Sequence, residues 1–203
     1  MVCAALGAGR QSIILRKGGI AEGRDGFSFR HRQFFLFPTW FHEQPEKVRE
    51  QDDALLSSAE NAERPTPNAE RRIQRGLLMP QSEDMIEIQF AADLAESRTI
   101  TSWAVAKALE PLHILRPGVI QERFNYDEAP GLHVAFVRVY RLNRVWRFPN
   151  EKEYGGCRSW VDLPVVPNDL RFEAVLSDEE HEQRFEEFLA IVDKPLTTSL
   201  PSL

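Results

Sequence analysis

The sequence predicts an α+β protein: a small, mostly antiparallel sheet or partly closed barrel, with short helices and an amphipathic C-terminal helix. Three observations lead there. Short β-branched and aromatic runs, and one long alternating segment, read as strands. They do not alternate regularly with helices, which disfavours a doubly wound parallel fold. Near the C-terminus an apolar stripe at helical spacing follows a capping signature.

In chain order, Ser12–Arg16 (SIILR) and Gln33–Phe37 (QFFLF) are the first two strands. Gly18, Gly19, Gly23 and Gly26 lie between them and predict a long irregular connection rather than a two-residue turn. From Pro45 to Pro80 the chain is rich in Glu, Arg, Asn and Gln. Its sparse apolar residues Val48, Leu55, Leu56 and Ala59 can form the stripe of one marginal helix, and the rest reads as a mobile insert. In MIEIQFAADL, Ile86, Ile88, Phe90 and Ala92 alternate with Glu87, Gln89 and Ala91, the period of a half-buried strand. Thr101–Leu109 is a short helix with hydroxyl residues at its start, and Pro117 opens another that runs through Phe124. Leu132–Leu142 (LHVAFVRVYRL) is apolar on both faces and therefore central. Ser177 with Glu180 forms a capping box, followed by the stripe Phe185, Phe188, Leu189 and Val192 on a helix whose other face is acidic.

The 203 residues suit one domain, 1–193, carrying a polar insert at about 45–83 and ending in a flexible tail, 194–203. The formal charge of −6 hides a split: residues 43–63 carry a net −5 and residues 173–193 a net −7. The remaining body is basic, so a polyanionic partner fits it. Of the two cysteines, Cys3 sits at the N-terminal end and away from Cys157 in sequence, which predicts no structural disulfide and a reducing compartment. No window approaches the ~18 apolar residues that span a bilayer. A cytoplasmic protein without a membrane partner is the expectation, with no cofactor indicated.

Three stretches can carry chemistry. Arg16-Lys17-Gly18-Gly19 leaves a strand directly. Glycine backbone and adjacent cations suit an anion-binding corner, or the stretch is a strand-ending turn with exposed cations. It has neither P-loop nor dinucleotide spacing. Pro38-Thr39-Trp40-Phe41-His42-Glu43 places a histidine past an aromatic strand end, where it can act as acid, base or donor, or be structural. In Tyr154-Gly155-Gly156-Cys157-Arg158-Ser159-Trp160, Arg158 can lower the Cys157 thiol pKa toward a nucleophile, or Cys157 is a small buried residue. His42, His113 and His133 show no metal-ligand spacing, so no metal site is expected. Arg138, Arg141, Arg144 and Arg147 alternate faces, with Arg144 and Arg147 expected past the strand end, open to phosphates or bases or simply to solvent.

LRKGGI, FFLFPTWFH, LHIL followed by ERFNY, LHVAFVRVYRL and YGGCRSWVDL occur in that order across most of residues 12–163. Together they resemble domain-of-unknown-function family 1802, and the polar stretch from about 45 to 83 falls where such proteins vary. The resemblance implies that Arg16, Lys17, Gly18, Gly19, Pro38, Thr39, His42, Arg123, Tyr154, Gly156, Cys157, Ser159 and Trp160 are family-pattern positions. Members carry a further apolar segment with a tryptophan before the first strand, and read His-Gln where this chain has His42-Glu43-Gln44. The family's region occurs beside a restriction-endonuclease-type domain in some proteins, which implies a nucleic-acid context. The order of turn, basic strand end and returning aromatic strand also resembles small PUA-like barrels, which bind RNA or modified bases.

These readings converge on a nucleic-acid-associated recognition module, binding nucleic acid or a nucleotide-like ligand. Arg16, Lys17, Gly18, Gly19, Thr39, Trp40, His42, Tyr154, Arg158 and Trp160 would line one cleft. Arg16 and Lys17 would meet phosphate, Trp40 or Trp160 would stack on a base, and His42 would hydrogen-bond. One alternative is a small hydrolase- or nuclease-like enzyme using His42 with Cys157 or a carboxylate. Another is a protein-interaction subunit whose acidic C-terminal helix docks a basic partner and can be removed without unfolding the body.

Overall fold

A computed structural model of the chain describes residues 2–17, 27–38, 47–49, 85–154 and 159–194. Two long strands organise it: β3 (Met85–Ile100) and β4 (Leu132–Pro149) run antiparallel over nearly their whole length. The opposite edge of β4 receives β1 (Ile13–Arg16) beside His133–Phe136 and β5 (Phe172–Ala174) beside Tyr140–Leu142. β2 (Gln33–Phe35) pairs with the outer edge of β3. All these pairings are antiparallel, and the sheet stays open among the described residues. The α+β expectation is met, in its sheet form.

β4 is central, as its apolar composition requires, because both of its faces are covered. Val134 and Phe136 belong to a core with Ile13, Leu109, Ile120 and Phe124, and Ala135 and Val137 belong to a second core with Leu6, Phe90 and Ala92. Successive residues of a strand point to opposite sides, so these two clusters lie on the two sides of the sheet. The first core is roofed by α2 (Trp103–Ala108), α3 (Pro117–Phe124) and α4 (Asp178–Val192). α4 begins with the full capping box between Ser177 and Glu180, and its stripe packs Phe185, Phe188 and Leu189 onto that core. No helix among the described residues is long and apolar enough to cross a membrane.

The structure departs from the sequence reading in four places. Residues Val2–Gly7 form a helix, α1, with Ala5 and Leu6 buried, although their small side chains gave no stripe to read. β4 does not stop at Leu142. The register with β3 shifts between the pairs Phe90–Arg141 and Ile88–Trp146, and the strand then continues to Pro149. An irregularity of this kind lets the polar pair Asn143–Arg144 pass without ending the strand. Within the polar stretch, Val48, read as part of a marginal helical stripe, is instead fully buried in a β-bridge to Leu115, so Lys47–Arg49 is fastened to the body. The rest of that stretch, from residue 50 to residue 84, lies outside the described residues. Finally, β5 is a strand whose three residues are all exposed, so its sequence carries no alternation to detect.

Gly7 closes α1 directly over Phe90. A β-carbon there would sit 2.1 Å from Phe90 Cζ, and that ring is itself held beneath the Arg141 guanidinium, 5.1 Å from the centroid. Gly7→Ala is therefore expected to cost about 1–3 kcal/mol through overpacking. Urea titration of the two proteins measures it; a loss below about 0.5 kcal/mol, the scatter of neutral surface changes, contradicts the packing argument.

Candidate functional site

The exit of β1 is the place where the sequence blocks meet. Arg16 is the last residue of β1 and pairs in register with His133 of β4. Its side chain turns to the YGGCRSW block, where Nη2 donates to Ser159 Oγ at 2.8 Å. Its guanidinium carbon also lies 5.7 Å from the centroid of the Phe27 ring. Arg16 of LRKGGI and Ser159 of YGGCRSW thus meet at one corner.

Trp160 belongs to the same corner. Its ring lies nearly parallel to Phe27 (8°, centroids 6.5 Å apart), and His31 and Phe34 meet it at steep angles, at 4.8 and 5.3 Å. The indole Nε1–H donates to the Ser28 carbonyl at 3.3 Å. Phe27 in turn contacts His133 at 5.6 Å, and His133 Nδ1 is 3.2 Å from Thr99 Oγ1. The indole is thereby fixed by its neighbours.

A second guanidinium stands close by. Arg123, on the last turn of α3, is half-buried. Burial first, and the Arg16 charge second, hold it below the ordinary arginine pKa, with Glu122 acting in the opposite sense. It stays cationic, because arginine has a wide margin above neutral pH. The same positive region reaches inward. His113 is buried, and desolvation, then Arg49 and Arg123, push its pKa down to about 4. The neutral ring accepts from the Leu115 backbone N–H at 3.1 Å through Nδ1.

Lys17 is engaged elsewhere. Its Nζ lies 2.9 Å from Asp127 Oδ1 and donates to the Ala129 carbonyl at 2.5 Å, with only 11% of the side chain exposed. That clasp ties the β1 exit to the turn before β4. It also compensates the lysine charge locally and holds the Asp127 carboxyl below its usual range. Arg16 and Arg123 bring two guanidiniums to this corner, while Lys17 is committed to Asp127 and Ala129.

Tyr154 is not among these groups: its ring packs on Phe37 and Phe148, at 5.8 and 5.6 Å, in the cluster of Ile86, Ile88 and Trp146. Gly18, Gly19, Thr39, Trp40, His42, Cys157 and Arg158 lie outside the described residues.

The arginines of β4 take a different place from the one their spacing suggested. Arg144 and Arg147 are inside the strand, not beyond it. Arg144 makes two bonds to Asp169, and Arg147 Nε bonds Glu87 at 2.7 Å. Arg138 is paired with Asp178 at the start of α4, and Arg141 donates to the Gly7 carbonyl at 2.9 Å. Three of the four cations are thus matched by acids of neighbouring elements, one from the acidic C-terminal segment. Sequence could not supply this, because each carboxylate comes from another part of the chain. Phe27, His31 and the proximity of Arg123 to Arg16 also escaped the sequence reading, for the same reason.

No curated protein and no solved structure matches the chain. The family described as a domain of unknown function, DUF1802, matches residues 1–187, which takes in every strand of the sheet, α1 to α3, and most of α4. With that span, and with two of its five sequence blocks meeting at the Arg16–Ser159 corner, the chain belongs to the DUF1802 family.

Proposed function

We propose that the chain is a nucleic-acid-associated recognition module whose phosphate-reading edge is the Arg16–Ser159 corner with Arg123 beside it. The observation that carries this reading is the like-charge pair. Burial and the Arg16 charge both act against the charge of Arg123. A phosphate drawn to the two guanidiniums reverses the sign of that term, and planar guanidinium groups match its oxygens. Ser159 fixes one of them in direction, and the Phe27–Trp160 wall limits its freedom. The β4 arginines supply no comparable surface, being matched largely by local carboxylates.

Labelled single- and double-stranded oligonucleotides, titrated at two salt concentrations, test the reading. Binding should weaken steeply as salt rises, as expected when cations displace phosphate counterions. Arg123→Gln should lower affinity about tenfold and reduce the salt slope by about one. The same change should leave thermal stability unchanged or slightly higher, because it removes a like-charge repulsion. No binding at low salt, or unaltered affinity in Arg123→Gln, overturns the proposal.

A further inference from the structure

The junction between β4 and α4 holds a small cavity of about 10 Å³. Ser12, Arg138, Val139, Leu176 and His181 are among the residues that line it. Two buried polar atoms of those residues, Arg138 Nε and His181 Nε2, have no hydrogen-bond partner among the described residues. Buried polar groups are rarely left so, and two of them around one small space point to a common partner. The neighbouring groups are accounted for. Arg138 Nη2 is bonded to Asp178, and Ser12 Oγ accepts from Arg184 Nη1 at 3.1 Å, keeping its own proton to give.

The size of the cavity is that of a single water, since a buried water needs about one probe sphere of space and two to four polar partners. The charge of Arg138 argues against a metal cation, and the volume argues against any larger group. His181 is neutral near pH 7, because burial, then Arg138, hold it below its ordinary value. Neutral imidazole can present an unprotonated Nε2 as acceptor.

We propose that this cavity is a binding site for one ordered water, which accepts from Arg138 Nε–H and Ser12 Oγ–H and donates to His181 Nε2. The water clasps α4 to the central strand beside the direct Arg138–Asp178 ion pair. Three bonds is the usual number for a buried water. The arrangement also fixes His181 as the Nδ1–H tautomer.

Nuclear magnetic resonance of the full ¹⁵N-labelled chain at neutral pH tests it. The expected result is a His181 Nε2 shift typical of an unprotonated ring nitrogen. Cross-peaks from a long-lived water to both His181 Hε1 and Arg138 Hε should accompany it. A protonated Nε2, or a water contact missing at either residue, overturns the proposal.

Discussion

Phe188→Ala is expected to destabilise the protein by about 3–5 kcal/mol, the range for truncating a fully buried phenylalanine. Phe188 has no exposed surface, and its ring sits 5.4 Å from Phe136, which also touches Phe185 and His181. It is the point at which α4 is keyed into the core that β1, β4, α2 and α3 share. Truncation removes the transfer free energy of the ring and leaves a space that helices fixed by a capping box and ion pairs close only partly. Urea unfolding measures the loss. Phe172→Ala on β5, where the ring is 50% exposed, serves as the comparison and should fall within about 0.5 kcal/mol. A loss below about 1 kcal/mol for Phe188→Ala would mean that α4 is not part of the cooperative unit. The same packing bears on the protein-interaction alternative. A helix that contributes a fully buried phenylalanine to the main core is not an appendage, so deleting it from Ser177 onward would expose that core rather than leave the body folded.

The second large effect is a pH dependence set by His113. Its folded pKa, about 4, lies below the ordinary histidine value of 6.5, so the unfolded chain binds this proton more readily. Stability from this group is therefore complete above about pH 6.5, declines as pH falls through the window, and is fully lost below about pH 4. The shift corresponds to about 3 kcal/mol in all, of which about 2 kcal/mol falls between pH 7 and pH 5. The physical cause is burial against Arg49 and Arg123, with Nδ1 already committed to the Leu115 N–H. Unfolding free energies at those two pH values, compared between the wild type and His113→Asn, isolate the contribution of this histidine. Asparagine keeps an acceptor near the Nδ1 position but does not titrate, so its pH difference should be smaller by about 2 kcal/mol. Equal pH differences in the two proteins would contradict the assignment.

Much of the sheet was legible because it depends on local pattern. The alternation of Ile86, Ile88 and Phe90 became β3, the doubly apolar run from Leu132 became the central strand, and Ser177 with Glu180 became the α4 cap. Where local pattern was absent the reading failed. α1 has only small or short apolar residues, β5 is exposed throughout, and the β4 extension crosses polar residues by a register shift. In each case the element exists because of what it packs or pairs with, not because of its own composition.

The corner divides in the same way. Sequence by itself determined that a basic strand end, a glycine-and-aromatic block and the ordered family blocks are present, because those are properties of residue type and order. Only the tertiary structure decided which of them meet. It joined Arg16 to Ser159, brought Arg123 into the field of Arg16, gave Lys17 to Asp127 and sent Tyr154 to another cluster. It also matched the β4 arginines with carboxylates distant in the chain. The reason is range: side-chain type and periodicity act over a few residues, whereas charge pairing and desolvation depend on neighbours that only folding supplies.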